Sequence, residues 1–257
     1  MNGKTFSFAV AIIIGLVIML IAAFIPEWSF WIFAYPKSVF ISAAIAIILG
    51  LLFGGKAFTD NYFGALIDGR KKVSVSRFQM ILWTIVVLSS VYAIAVNNVR
   101  FLDNPPEEAV VSDGETKDPL DIHIPDILLV LMGLSASAAV GSTLIKKQQK
   151  EDDAIEPLTV NTTKEEAKFS DMFKNEFDPE NIRLDLTKIQ MFYATIVLVI
   201  AYLYSILIDL DGNAFIDGMP EISAGLVGLL TVSHGTYLVS KSVSSPKKKQ
   251  AGGNGEN

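Results

Sequence analysis

The sequence predicts an all-α membrane protein of six transmembrane helices, and three observations carry that reading. Half of the chain is apolar (51%) and the apolar residues gather in runs of about 18 to 22, the length a helix needs to cross ~30 Å of hydrocarbon. Two stretches occur twice: Phe58 to Val86 matches Phe169 to Val197 without a gap at an offset of 111, and Pro125 to Lys146 matches Pro220 to Lys241 at an offset of 95. Basic residues alternate between connections, so that 18 of the 21 Lys and Arg fall on one side of a six-span model.

The spans run Phe8 to Ile25, Val39 to Phe53, Phe78 to Val96, Ile127 to Ile145, Ile189 to Ile208 and Ile222 to Val239. The first follows Lys4 and leads into Pro26-Glu27-Trp28 without a small-residue cleavage site, which predicts a retained signal anchor. Residues 1–55 form an N-terminal hairpin with no internal match. On its second helix Ser42, Ala46, Gly50 and Gly54 recur every four residues, a narrow stripe where another backbone can approach. Gly133, Ser137 and Gly141 form a similar stripe on the fourth span, for packing within the chain or a contact between subunits.

Residues 56–147 and 167–242 are then two copies of one two-helix cassette, joined by a linker at 148–166 and followed by a disordered tail at 243–257. Phe58, Tyr62 and Leu66, like Phe169, Phe173 and Phe177, share one face of a short interfacial helix begun by Thr59 or Ser170 as N-cap. A turn follows, then a short extended run, Val73 to Ser76 or Leu184 to Thr187. Ser76-x-x-Gln79 and Thr187-x-x-Gln190 fit the capping box that opens a helix. Each returning helix opens at Pro125-Asp126 or Pro220-Glu221, since proline has no amide to lose at a first helical position. Each copy crosses twice, so both point the same way. They are expected to pack around a pseudo-twofold axis along the membrane normal, with the glycine stripe of the N-terminal hairpin against them.

The Ser76-Arg-Phe-Gln-Met-Ile-Leu-Trp-Thr84 segment, followed by Ile124-Pro-Asp-Ile-Leu-x-x-Leu-Met-Gly-Leu-Ser135, resembles a cassette of an uncharacterised family of bacterial multi-pass membrane proteins. The first copy keeps Gly133-Leu-Ser135 and the second keeps Thr236-Tyr-Leu238 with Lys241. The resemblance implies a membrane location and carries no activity, cofactor or site residue.

Charge orients the chain. The connections that hold the 18 basic residues belong in the cytoplasm, while Asp103, Glu107, Glu108, Asp113, Glu115, Asp118 and Asp121 crowd the loop on the opposite side. A basic inner face of this kind is ordinary for a bacterial inner-membrane protein and is no evidence for nucleic-acid binding. No acidic or basic side chain lies deep in any span, which disfavours a transporter coupled to protons or sodium. His234 sits about 10 Å from the cytoplasmic end of the sixth span and reads as a packing residue or, alternatively, a pH-sensing one. His123 reads as an interfacial residue. Ser135 and His234 mimic the dyad of a rhomboid protease, but they stand about 15 Å and about 21 Å along helices that run the same way. The chain has no cysteine and no phosphate-binding or dinucleotide motif, and no catalytic, cofactor-binding or metal-binding residue is expected. The expected function is that of a non-enzymatic scaffold or assembly subunit in the inner membrane, with an oligomeric pore or ion channel as the alternative. Its partners would be the bilayer and either further copies or a protein at the cytoplasmic face.

Overall fold

The computed structural model describes residues 10, 12–17, 36–102, 106, 109–110, 117–133, 160–175, 183–212, 214–226, 228, 231–232 and 235. Among them the regular elements are all helical, and no strand is longer than an isolated bridge. Three helices are long and apolar enough to cross a membrane: α1 (Pro36–Thr59), α2 (Val75–Val99) and α3 (Leu186–Asp209). They contain the expected second, third and fifth spans and overrun each at both ends. Of the other three spans, the described residues cover 10 and 12–17, 127–133, and 222–226 with a few positions on to 235, all helical except 222 and 223.

α1 is longer than the apolar run because nothing stops it. Pro36 supplies a ready-made first turn, and the apolar pattern continues through Phe58. Thr59, expected as an N-cap, instead ends this helix: its hydroxyl donates to Gly55 O, 2.6 Å away, as a residue of a last helical turn does. Asp60 then takes a left-handed conformation (φ 59°), and its amide bonds back to Lys56 O at 3.1 Å. The chain reverses so tightly that a Cβ on Gly55 would meet Tyr62 O at 2.7 Å and Asn61 O at 2.8 Å. The expected interfacial helix is reduced here to one 3-10 turn, η1 (Gly64–Leu66). In the second copy it is also short, η2 (Phe169–Phe173), and its N-cap is Lys168 in place of Ser170.

The two loops that lead into α2 and α3 are closed by matching backbone hydrogen bonds. Ser74 N donates to Leu66 O (3.0 Å) and Asp68 N to Lys72 O (2.9 Å); Asp185 N donates to Phe173 O (2.8 Å) and Asn175 N to Arg183 O (3.0 Å). Leu66 therefore corresponds to Phe173 and not to Phe177, so the ungapped alignment slips by four residues before the bridges Ile67–Val73 and Lys174–Leu184. The second loop is longer and lies partly outside the described residues, as does Phe177.

The capping boxes are not formed. α2 starts at Val75 after Ser74, which puts Ser76 inside the first turn with its Oγ buried and unbonded. α3 starts at Leu186, and its cap is Asp185, whose carboxylate accepts from Thr187 N at 3.1 Å and Lys188 N at 3.3 Å. A carboxylate is the stronger acceptor for a positive helix end, and it leaves Thr187 two residues inside the cap. The second returning helix also begins late, at 224 instead of Pro220, because Gly218 and Met219 are held extended against His123.

α1 and α2 pack as an antiparallel pair, and α3 lies against the other side of α2, parallel to it. The main core joins these helices around Trp83, Val86, Ile94, Leu198, Tyr202 and Ile206. The glycine stripe of α1 is divided: Ser42 and Ala46 are buried, and Gly50 is not packed. Gly15 would place a Cβ 3.5 Å from Ala46, so the middle of the stripe packs inside the N-terminal hairpin, while Gly50 borders open space.

Candidate functional site

Among the described residues, the contact between α2 and α3 carries a set of buried polar groups. Gln79, fully buried, donates from Nε2 to Met191 O at 3.0 Å and to the Thr195 hydroxyl. Thr195 Oγ1 in turn bonds Met191 O of its own helix at 2.9 Å. One turn along α2, Trp83 meets the Tyr202 ring edge-on with centroids 6.3 Å apart. Ser76 Oγ, Gln79 Oε1, Trp83 Nε1, Ser89 Oγ and Tyr202 OH are buried there or on the adjoining face of α2 without a protein partner. Gln79 carries the contact because position 79 falls on one face with Ser76, Trp83, Ser90 and Asn97.

The matched positions do not behave alike. A two-fold arrangement would set Gln190 against Met80 and Thr84, yet Gln190 is exposed. The buried residues of α3 are Lys188, Met191, Thr195, Leu198, Val199, Tyr202 and Ile206, a face turned by about one residue from the one α2 uses. The pairing is therefore heterologous: two different faces of similar helices meet, and the expected pseudo-twofold relation is absent from it.

At the C-terminal end of α2, two buried asparagines bind the connections that follow α2 and α3. Asn97 Nδ2 donates to Ala214 O at 2.9 Å. Asn98 holds Ile216 at both backbone groups, donating to its carbonyl at 2.8 Å and accepting from its amide at 3.0 Å, and also reaches Pro119 O at 3.3 Å. His123 adds a short parallel bridge to Gly218, and a Cβ at Gly218 would stand 2.7 Å from His123 O. Lys117 pairs with Asp217 at 2.7 Å, and His123 Nε2 lies 3.6 Å from Glu221.

At the opposite end, charge and aromatic packing do the same work. Arg70 forms a buried pair with Asp68 (3.0 Å), and Asn161 binds the same turn through Arg70 O (3.1 Å) and Lys71 O (2.9 Å). Lys71 Nζ reaches Thr162 O, and Asn61 Nδ2 reaches Lys164 O at 3.2 Å. The run from Thr162 to Glu166 is exposed apart from the half-buried Lys164, as a linker would be, and is also tied to the first loop. Asp171 sits buried beside Lys174 (2.8 Å) and accepts from Lys168 N (2.8 Å). Burial opposes its charge, but those bonds and the charges of Lys174 and Lys72 outweigh it and hold the carboxyl below its usual range. Burial, with the charge of Arg70 next, lowers the Lys72 ammonium. Phe78, Phe169, Phe173 and Phe192 cluster beneath, with Phe78 and Phe192 centroids 5.4 Å apart.

His123, expected as an interfacial residue, is exposed. His234, Ser135, Ser137, Gly141, Lys146, Lys241 and the segment Thr236-Tyr-Leu238 lie outside the described residues. Sequence reasoning missed the role of Gln79 across helices and the paired asparagines. The adjacent amides Asn97-Asn98 at the end of an apolar run were the available signal, since neither suits hydrocarbon unless bonded. No family model matches the chain, and no curated protein or solved structure does.

Proposed function

We propose that this chain is a non-enzymatic scaffold or assembly subunit of the bacterial inner membrane, built from an N-terminal hairpin and two parallel two-helix cassettes, with both termini in the cytoplasm. The observation that carries the reading is how its polar groups are spent. Gln79, Asn97, Asn98 and Asn161 all hold one segment of the chain to another. A protein whose task is to present fixed surfaces needs such cross-ties.

The surfaces it would present lie at the basic end. Phe58, Phe63 and Phe169 are exposed at 69%, 60% and 53%, beside Lys56, Lys71 and Lys72, and fit either the anionic inner leaflet or a partner protein docked there.

An oligomeric pore remains the second reading, favoured by the five unbonded buried atoms near the α2–α3 contact, which a file of water would satisfy. Ion flux through purified protein in liposomes separates the two. A scaffold leaves the vesicles tight, and conductance that scales with protein content overturns it.

A further inference from the structure

The exposed face of α3 is the counterpart of a face that is buried on α2. Leu186, Gln190, Tyr193, Val197, Ile200 and Tyr204 form one stripe; apart from Gln190, which is also exposed, their exposures run from 62% to 76%. At the offset of 111 they correspond to Val75, Gln79, Leu82, Val86, Ser89 and Ala93. Of these, all but the half-buried Leu82 are exposed by 2% or less. On α2 this stripe carries the Gln79 bond to Met191 and Thr195 of α3, whereas on α3 the corresponding stripe is exposed.

What such a stripe receives is known from within the chain: a parallel helix offering a carbonyl and a back-bonded threonine one turn on. α2 carries that feature too. Thr84 Oγ1 donates to Met80 O at 2.8 Å, as Thr195 does to Met191 O at 2.9 Å, and both Met80 and Thr84 are half-buried. A lipid-facing stripe has no use for an amide at the position where Gln79 makes its cross-tie.

We propose that the α3 stripe is a docking face for a second copy of this chain, in which Gln190 of one copy donates to the Met80 carbonyl and Thr84 hydroxyl of the next. The contact repeats between chains the one found between cassettes. Being heterologous, it joins copies head to tail in the plane of the bilayer. This goes beyond the scaffold reading, since a pore would require a subunit contact equally.

The absence of cysteine makes the contact directly testable in membranes holding the full chain. A Thr84→Cys/Gln190→Cys double variant treated with a short bismaleimide should give a ladder of covalent multimers, and the two single variants mixed should stop at dimers. Gln190→Ala should weaken association about threefold, the worth of a typical interhelical hydrogen bond in a bilayer. Homodimers from Gln190→Cys alone would replace the head-to-tail contact with a two-fold one and overturn the proposal. So would the absence of a ladder where a Gln79→Cys/Thr195→Cys control links within the chain. If the variants fold poorly, native mass of the unmodified chain in lipid discs decides: several copies sustain the proposal, and a lone copy sinks it.

Discussion

The side-chain amide of Gln79 on α2 lies 3.0 Å from the backbone carbonyl of Met191 on α3, and it ties together two helices that the sequence makes look interchangeable. The equivalent Gln190 has no such place. In hydrocarbon an amide without a partner costs several kcal/mol, so the position of each glutamine records which face of its helix is inside.

Truncating the two glutamines should therefore have unequal effects. Gln79→Ala removes buried volume and both cross-helix bonds and should cost about 2 kcal/mol, whereas Gln190→Ala should cost less than about 0.5 kcal/mol in a single chain. Thermal unfolding of dilute, detergent-solubilised protein measures both. Equal losses would contradict the assignment of faces.

Asn98 should matter for the far end of the molecule. Asn98→Leu strands the amide and carbonyl of Ile216 together and should cost roughly 2 to 3 kcal/mol. Hydrogen exchange across residues 211–219 should rise in this variant while exchange near Gln79 stays unchanged. Uniform protection in both regions would remove Asn98 from this role.

Two glycines on one helix should respond in opposite ways. At Gly55 a methyl group collides with backbone atoms at 2.7 to 2.9 Å, and Gly55→Ala should destabilise by about 1 to 3 kcal/mol. Nothing stands within 4 Å of a Cβ on Gly50, so Gly50→Ala should be neutral or stabilising by up to about 1 kcal/mol through helix propensity. Expression level and thermal midpoint read both.

These pairs show what the sequence made legible. Apolar run length located α1, α2 and α3, because a bilayer imposes it on any spanning helix. Boundaries were misplaced where a stronger local group intervened: Asp185 capped α3 ahead of Thr187, and the backbone bonds of His123 to Asp217 and Met219 delayed the second returning helix. The matched residues were visible, but not which face of each copy would be inside. That choice depends on neighbours distant in sequence, such as α1 lying on one side of α2 and α3 on another, and periodicity alone is silent about it.

Acid should loosen the loop before α3. The folded pKa of Asp171 is depressed, so its contribution to stability is complete above the unfolded value of about 4 and is lost as pH falls through the lower folded value. The cost of charging Lys72 acts elsewhere: it is present below the lowered folded pKa of that lysine and is relieved as pH rises toward the ordinary one. Asp171→Asn should lower stability at neutral pH and flatten the decline in acid. An unchanged acid limb would show that another carboxylate governs it.

The central claim, that two similar helices meet through different faces, is tested most directly by cross-linking within single chains isolated in lipid discs. The Gln79→Cys/Thr195→Cys pair should link efficiently with a short bismaleimide, and the Thr84→Cys/Gln190→Cys pair should not link within one chain. Efficient linkage of both pairs inside a single chain would mean that the two copies are related by a two-fold axis after all, and would contradict the account.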